Sequence, residues 1–73
     1  MPKVNEATVV KVIELIGTSP KSWEDAAANA IKAAGKTVRN ITGMELKSCS
    51  ATVQHSKIVE YKAVVKVAFE VER

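Results

Sequence analysis

The chain has 73 residues, of which 26% are charged, and eleven Lys and Arg residues against eight Asp and Glu residues give it a net charge of +3. A chain this short forms one domain, residues 1–73, and domains of this size usually need disulfides, a metal or partner subunits to be stable. A disulfide framework and a four-ligand zinc site are excluded, because Cys49 is the only cysteine and His55 the only histidine. The composition therefore predicts a chain that associates with copies of itself.

The same composition predicts the compartment of the protein and excludes some classes of partner. Residues 1–7 lack the apolar core of a secretory signal and are expected to form a loose extension, and no apolar run approaches the ~20 residues that span a bilayer. We therefore expect a cytoplasmic protein with no membrane partner, which suits a single free cysteine. Basic residues are scattered among acidic ones, and one Trp, one Tyr and one Phe form no stacking platform, so no nucleic-acid partner is expected.

The first predicted strand covers residues 9–16. It is rich in β-branched residues and has no helical spacing. Its two faces are both mainly apolar: Val10, Val12, Glu14 and Ile16 on one, and Val9, Lys11, Ile13 and Leu15 on the other. We therefore predict burial on both sides, with Gly17 ending the strand.

A helix of about 16 residues is predicted next, with Ser22 as its N-cap and Asp25 completing a variant of the capping box. Gly35 lies in the predicted interior, where it would mark a tight contact, and Gly43 is suited to end the helix. The apolar face consists of residues spaced three and four apart: Trp23, Ala27, Ala30, Ile31, Ala34, Val38 and Ile41. Its many alanines predict a slim helix that approaches a sheet closely.

The second predicted strand, residues 44–54, changes phase along its length. Its apolar residues lie first on one face and then on the other: Met44 and Leu46, followed by Cys49, Ala51 and Val53. Because a period of two cannot change phase without an inserted residue, we predict a bulge or bend near Lys47 or Ser48. Residues 54–57 are predicted to form a hairpin turn.

The third predicted strand runs to residue 72 and alternates regularly. One face is apolar: Val59, Tyr61, Ala63, Val65, Val67, Phe69 and Val71. The fold class is therefore α+β in the order β-α-β-β, with a three-stranded antiparallel sheet packed around one helix. A strand of about 13 residues extends roughly 44 Å and the helix only about 24 Å, so neighbouring copies must cover the rest of the sheet.

Side chains able to support catalysis are sparse. Cys49 and His55 would lie roughly 20 Å apart along a strand and its turn, and a half-buried cysteine with a solvated histidine is the simpler interpretation. No enzyme is expected. Lys62 and Lys66 share one face of the third strand, which is either a solvated surface or, in a closed assembly, the lining of a pocket that favours anionic ligands.

Three segments resemble the dodecin family: Lys-Val-Ile-Glu-Leu-Ile-Gly-Thr-Ser at 11–19, the end of the alanine-rich helix at 36–41, and the strand at 60–70. The resemblance covers nearly all of the chain after residue 8. It implies a β-α-β-β subunit and a hollow homododecamer of tetrahedral symmetry. It also implies storage of flavins such as riboflavin or FMN, stacked between aromatic side chains near a two-fold axis.

The resemblance also implies where the ligand lies. Flavin-binding dodecins have a tryptophan after the helix that stacks on the flavin, and Gly43 occupies that position here. They have a glutamine in the third strand that hydrogen-bonds the flavin edge, and Lys62 occupies that position. Thr42, Glu45 and Ser48 would border the same pocket.

Three interpretations of function follow. The first is a flavin-binding storage shell. The second is the same shell binding calcium or an anionic cofactor attracted by Lys62 and Lys66; a calcium-binding dodecin branch shares the helix start Ser22, Trp23 and Glu24, although the sequence has no dense set of carboxylates. The third is a purely structural oligomer that binds no ligand.

Overall fold

The computed structural model describes residues 9–71, which form strands β1 (Val10–Ser19), β2 (Ile41–Gln54) and β3 (Lys57–Glu70) and helix α1 (Trp23–Ala34). The strands make one antiparallel sheet in the order β1-β3-β2, and α1 packs on one of its faces. The predicted α+β class and β-α-β-β order are confirmed. The extension expected at residues 1–7 lies outside the described residues. Within 9–71, α1 is too short and too polar to cross a membrane.

The core lies between α1 and the central strand β3. Alternation along β3 turns Ala63, Val65 and Val67 toward the helix, where all three are fully buried, as the sequence predicts. The helix contributes only small side chains to this contact: Ala26, Ala27, Ala30 and Ala34. Four larger side chains pack around the edge of this cluster: Ile13, Leu15, Ile31 and Ile41. The slim helix predicted from the alanines therefore lies close against the sheet.

Gly17 does not end β1, so that prediction is wrong. It lies within the strand, opposite Ala63, and a Cβ atom at this position would overlap the carbonyl oxygen of Ala26 and lie 2.9 Å from the Cβ of Ala30. The glycine is therefore required by the close approach of the helix and not by a turn. The strand ends two residues later, at Ser19.

The strand exit is held by buried polar contacts. The Ser19 hydroxyl, 2% exposed, donates to Asp25 Oδ2 at 2.6 Å and accepts from the Lys21 backbone N–H at 2.9 Å. The predicted N-cap is confirmed, because the Asp25 N–H donates to Ser22 Oγ at 3.0 Å. Asp25 thus links the end of β1 to the start of α1.

The helix is shorter than predicted, with 12 residues, and Gly35 is its C-cap rather than an interior residue. Gly43 lies in β2 and does not terminate the helix. Asn40, with φ 62°, turns the chain so that Ile41 begins β2 while still packing against the core. Val38 and Ile41 lie beyond the end of the helix, although their spacing fits its apolar face. For Ile41 the spacing was misleading because a strand residue can contact the same core as a helix.

The β2–β3 hairpin is irregular in the way the phase change predicts. The register shifts between Leu46 and Ser48, which confirms the bulge and makes Lys47 the extra residue. Further shifts occur at Ile41/Gly43 and at Thr52/Val53. The predicted turn is also confirmed, with His55 and Ser56 as its two central residues. The bulges bend β2 along its length.

Much apolar surface stays open in the single chain. Val10, Val12 and Ile16, on the side of β1 away from the helix, are 51–66% exposed, so burial on that side is not achieved within one copy. The Cα radius of gyration is 15.0 Å, against roughly 11 Å for a compact chain of this length. The molecule is therefore elongated, 54 × 20 × 15 Å, and has sheet surface left to bury.

Replacing Gly17→Ala is expected to destabilise the protein by about 1–3 kcal/mol, because the added methyl group forces the helix off the sheet. The measurement is the denaturant midpoint at one fixed protein concentration, since the stability of an oligomer depends on concentration. The control is Gly35→Ala, where φ is −63° and the nearest heavy atom would be 3.4 Å from the new Cβ. The control should be neutral or slightly stabilising. Equal midpoints for the two variants would contradict the packing role of Gly17.

The double substitution His55→Asn with Ser56→Gly is expected to stabilise the hairpin by roughly 1 kcal/mol. Both residues have positive φ, 52° and 64°, as in the type I′ turn that favours Asn-Gly. Thermal unfolding measures the gain. Ser56→Ala keeps the Cβ atom and should give no gain, so stabilisation by that variant would point to a different cause.

Candidate functional site

Four of the five predicted ligand residues lie on the side of the sheet opposite the helix, called here the helix-free face. Lys62 lies there because its neighbour Ala63 is buried beneath the helix. Gly43, Glu45 and Ser48 pair with residues of β3 that face the same way. These pairs are Gly43–Ala68, Glu45–Lys66 and Ser48–Val64.

Charges of both signs alternate across the middle of this face. Lys66 lies opposite Glu14 on one side and opposite Glu45 on the other. Lys47, the bulge residue, donates from Nζ to Glu14 Oε1 at 3.0 Å, and both side chains are about half exposed. Exposed pairs of this kind contribute little to stability. Their effect is to make the centre of the helix-free face polar and nearly neutral.

The two positions that define the predicted ligand site are not brought together within one chain. Gly43 pairs with Ala68, whereas Lys62 pairs with Ser50 and Thr18. Lys62 and Ala68 are six residues apart on β3, which corresponds to roughly 20 Å. A small ligand that contacts both positions must therefore lie between two copies of the chain.

The surroundings of Gly43 are open. It is exposed, and a Cβ atom there would have no heavy atom within 4 Å. Its φ is not positive, so its conformation does not require glycine. The adjacent Thr42 lies at a register shift and donates from Oγ1 to the Ala68 carbonyl at 3.4 Å. Gly43 thus borders open space into which a side chain could extend.

An apolar groove on the other side of β2 was not predicted from the sequence. Helix α1 packs on β1 and β3 and leaves much of β2 uncovered. The space between them is a cavity of about 370 Å³, defined chiefly by Trp23, Glu24, Ala27, Ile31, Met44 and Leu46. A sequence signal that could have revealed it is the placement of Met44 and Leu46 on one face of their strand, together with a tryptophan at the start of the helix.

Trp23 lines this groove at the start of the helix. Its indole Nε1 donates to the Ser50 carbonyl at 2.8 Å, and its ring meets Tyr61 edge to face with centroids 4.8 Å apart. The side chain is still 39% exposed. Trp23 therefore ties the start of α1 to β2 and β3 while presenting apolar surface outward.

A second cavity, of about 420 Å³, lies beyond the end of the helix. It is defined mainly by Lys11, Thr37, Arg39, Asn40, Phe69 and Glu70. Two cations and one carboxylate surround it, with Phe69 as its aromatic member. The cavity has a mixed charge and is remote in register from Lys62.

The catalytic and metal-binding expectations can be checked against the same geometry. Cys49 is exposed and not half-buried as predicted, because α1 does not cover its strand. His55 lies in the hairpin turn, six residues away. Among residues 9–71, no three His, Cys, Asp or Glu side chains group together in a way that could hold a metal ion.

Comparison with known proteins gives the family. The sequence model of the family Dodecin matches residues 9–72. The chain belongs to the dodecin family. The dodecin of Thermus thermophilus is 36% identical over 64 residues, which span 88% of this chain and 93% of that protein. The calcium dodecin of Mycobacterium tuberculosis is 36% identical over 63 residues, spanning 86% and 89%.

Solved dodecin structures agree with the fold described above. A crystal structure from T. thermophilus superposes with a TM-score of 0.88 at 34% identity and covers 92% of this chain and 98% of that one. The M. tuberculosis calcium dodecin, whose structure is named for a novel calcium-binding site, superposes with a TM-score of 0.78 at 36% identity, covering 88% and 91%. The dodecin β-α-β-β architecture is thus shared along nearly the whole length.

Replacing Trp23→Phe is expected to cost about 0.5–1.5 kcal/mol, because the variant loses the bond to the Ser50 carbonyl and keeps the ring beside Tyr61. Trp23→Ala removes the ring as well and should cost more. Chemical unfolding followed by far-UV circular dichroism compares the two variants. If Phe and Ala cost the same, the ring contact contributes nothing measurable.

Proposed function

We propose that this dodecin is a non-catalytic small-ligand-binding protein that acts in the cytoplasm as a hollow homododecamer, with each binding site completed by a second copy. The observation that carries the proposal is the position of Gly43 and Lys62. They lie on one open face but roughly 20 Å apart in a single chain. Apposition of two such faces would bring one copy's Gly43 near another copy's Lys62.

The residues present do not fit a stacked flavin. Gly43 offers no ring to stack on, which removes an aromatic contact of about 0.5–1.5 kcal/mol beyond area burial. Lys62 donates hydrogen bonds but cannot accept one, unlike an amide side chain. Both changes weaken recognition of a neutral, planar ring system. Riboflavin is therefore expected to bind poorly.

The ligand class that fits better is a small anionic molecule. Lys62 is half-buried, and its partners across the sheet are Ser50 and Thr18, which carry no charge that would neutralise it. In a pocket completed by a second copy, such a lysine would favour negative charge. FMN, which carries a phosphate, should accordingly bind better than riboflavin, and its affinity should fall as salt is added.

Calcium is a second candidate because the M. tuberculosis relative is a calcium dodecin. Calcium takes six to eight oxygen ligands. Glu14 and Glu45 of one chain lie on opposite sides of Lys66, so they do not form such a set. Carboxylates from more than one copy would be needed to bind it.

The wild-type protein should leave riboflavin fluorescence unchanged at micromolar concentrations, whereas the double variant Gly43→Trp with Lys62→Gln should quench it. A Cβ atom at position 43 would meet no heavy atom within 4 Å, so a side chain can be added there. The matched control, Gly43→Leu with Lys62→Gln, fills the space without an aromatic plane and should not quench. Equal quenching by wild type and the tryptophan variant would show that flavin binding does not depend on these two positions.

Light scattering and calorimetry test the assembly and the class of ligand. Light scattering coupled to gel filtration should give twelve subunits, and a monomer or dimer would contradict the shell. Calorimetry should detect FMN more strongly than riboflavin, with binding weakened by Lys62→Gln. Binding of calcium chloride alone would favour the second candidate.

A further inference from the structure

A row of three polar side chains crosses the helix-free face at Lys62. The register pairs Lys62 of β3 directly with Thr18 of β1 on one side and with Ser50 of β2 on the other. Side chains of directly paired residues point to the same face of a sheet, so two hydroxyl groups flank the ammonium group. These three residues are called here the donor row.

The polar side-chain groups of the donor row are unused within residues 9–71. There, neither hydroxyl forms a hydrogen bond and Lys62 forms no ion pair. The flanking backbone carbonyls are bonded to the helix instead: Thr18 accepts from Asn29 Nδ2 at 3.0 Å, and Ser50 accepts from Trp23 Nε1 at 2.8 Å. These bonds fix the outer strands of the row and leave its side chains to a ligand.

The residues on either side of the donor row differ in chemistry. Toward Gly43, the paired residues Ile16 and Val64 form an apolar surface, with Ile16 66% exposed. Toward the hairpin turn lies Glu60, whose Oε1 accepts from Thr52 Oγ1 at 3.5 Å. This carboxylate repels an anion, whereas the apolar surface can contact carbon atoms. A ligand held by the donor row is therefore directed toward Gly43.

The number and spacing of the donors favour a tetrahedral anion. A phosphate monoester has three terminal oxygens that accept hydrogen bonds, and a carboxylate has two. Because adjacent strands lie about 4.8 Å apart, the two hydroxyls stand on opposite sides of Lys62, with their strands roughly 10 Å apart. A tetrahedral group above Lys62 can present one oxygen to each donor. A carboxylate leaves one donor without a partner.

We propose that the donor row binds the phosphate group of a phosphate monoester, whose uncharged carbon skeleton lies on Ile16 and Val64. The proposal rests on the anionic-ligand site proposed above and names the chemical class of its ligand. Lys62 supplies the attraction for negative charge. Thr18 and Ser50 supply the preference for three oxygens over two.

The test compares probes that share a phenyl ring and differ in the anionic group. Phenyl sulfate and benzoate each carry one negative charge, but they present three and two terminal oxygens. In calorimetric titrations of the assembled wild-type protein, phenyl sulfate should have a Kd about tenfold lower than benzoate, the effect of one hydrogen bond to a charged group. Phenyl phosphate, with its greater charge, should bind more tightly than either. Equal Kd values for phenyl sulfate and benzoate would overturn the proposal.

The double variant Thr18→Val with Ser50→Ala removes both hydroxyls and keeps Lys62. It should bind phenyl sulfate and benzoate about equally. Both backbone carbonyls remain, so circular dichroism and light scattering should show an unchanged fold and mass. The control Ser56→Ala removes a hydroxyl at the hairpin turn and should keep the wild-type preference. A wild-type preference in the double variant would contradict the role of the hydroxyls, and the comparison of probes on the wild-type protein stands without any variant.

Inorganic phosphate tests the position of the carbon skeleton. It should bind more weakly than phenyl phosphate, because it has no carbon atoms to contact Ile16 and Val64. Equal Kd values would show that this apolar surface takes no part in binding. That result would overturn this half of the proposal.

The variant Lys62→Gln separates failure of this inference from failure of the proposed function. If the variant leaves the Kd of FMN unchanged, the anionic-ligand site is wrong and this inference fails with it. If the variant weakens FMN binding, but the wild-type protein binds phenyl sulfate and benzoate equally, only the ligand class inferred here is wrong.

Discussion

The close approach of an alanine-rich helix to the central strand is the constraint on which the rest of the structure depends. Gly17 and Ala63 leave room for Ala26 and Ala30, and larger side chains at these places would separate the two layers. Small residues make this contact tight but narrow. A narrow helix covers β1 and β3 and leaves β2 largely open, so one chain cannot enclose its own sheet.

The open surfaces that result are of two different kinds. Around the helix the surface is apolar, with Trp23 and Leu46 exposed to solvent. On the opposite side the centre is ionic, with Lys66 between two glutamates and Lys47 bonded to one of them. Apolar surface favours contact with another chain, and ionic surface favours water or small charged molecules. The apolar surface around the helix is thus suited to contact with another chain, whereas the helix-free face combines an ionic centre with the exposed apolar residues Val10, Val12 and Ile16 of β1.

Much of the fold could be predicted because apolar and polar residues alternate along the strands in the sequence itself. Alternation in β3 identified Val65 and Val67 as core, and the phase change predicted a bulge near Lys47 or Ser48, which the structure places at Lys47. Predictions failed where one residue type has two explanations, as for Gly17, which serves packing and not a turn. The site was harder. Gly43 and Lys62 could be named from the family resemblance, but their separation depends on strand register, which no local pattern reveals.

The pleat of β2 and β3 has a consequence for how such a protein changes over generations. Residues that pack beneath the helix and residues of the helix-free face alternate along the same strands, and they lie on opposite sides of the sheet. A Cβ atom at Gly43 would meet no heavy atom within 4 Å, so substitutions there can change the helix-free face without disturbing the packing of the subunit. Insertion or deletion of one residue in β2 is different, because it would move the residues beyond it to the opposite face of the sheet and so exchange the two groups of side chains. Substitutions on the helix-free face are therefore easily tolerated in this architecture, whereas changes in strand length are not.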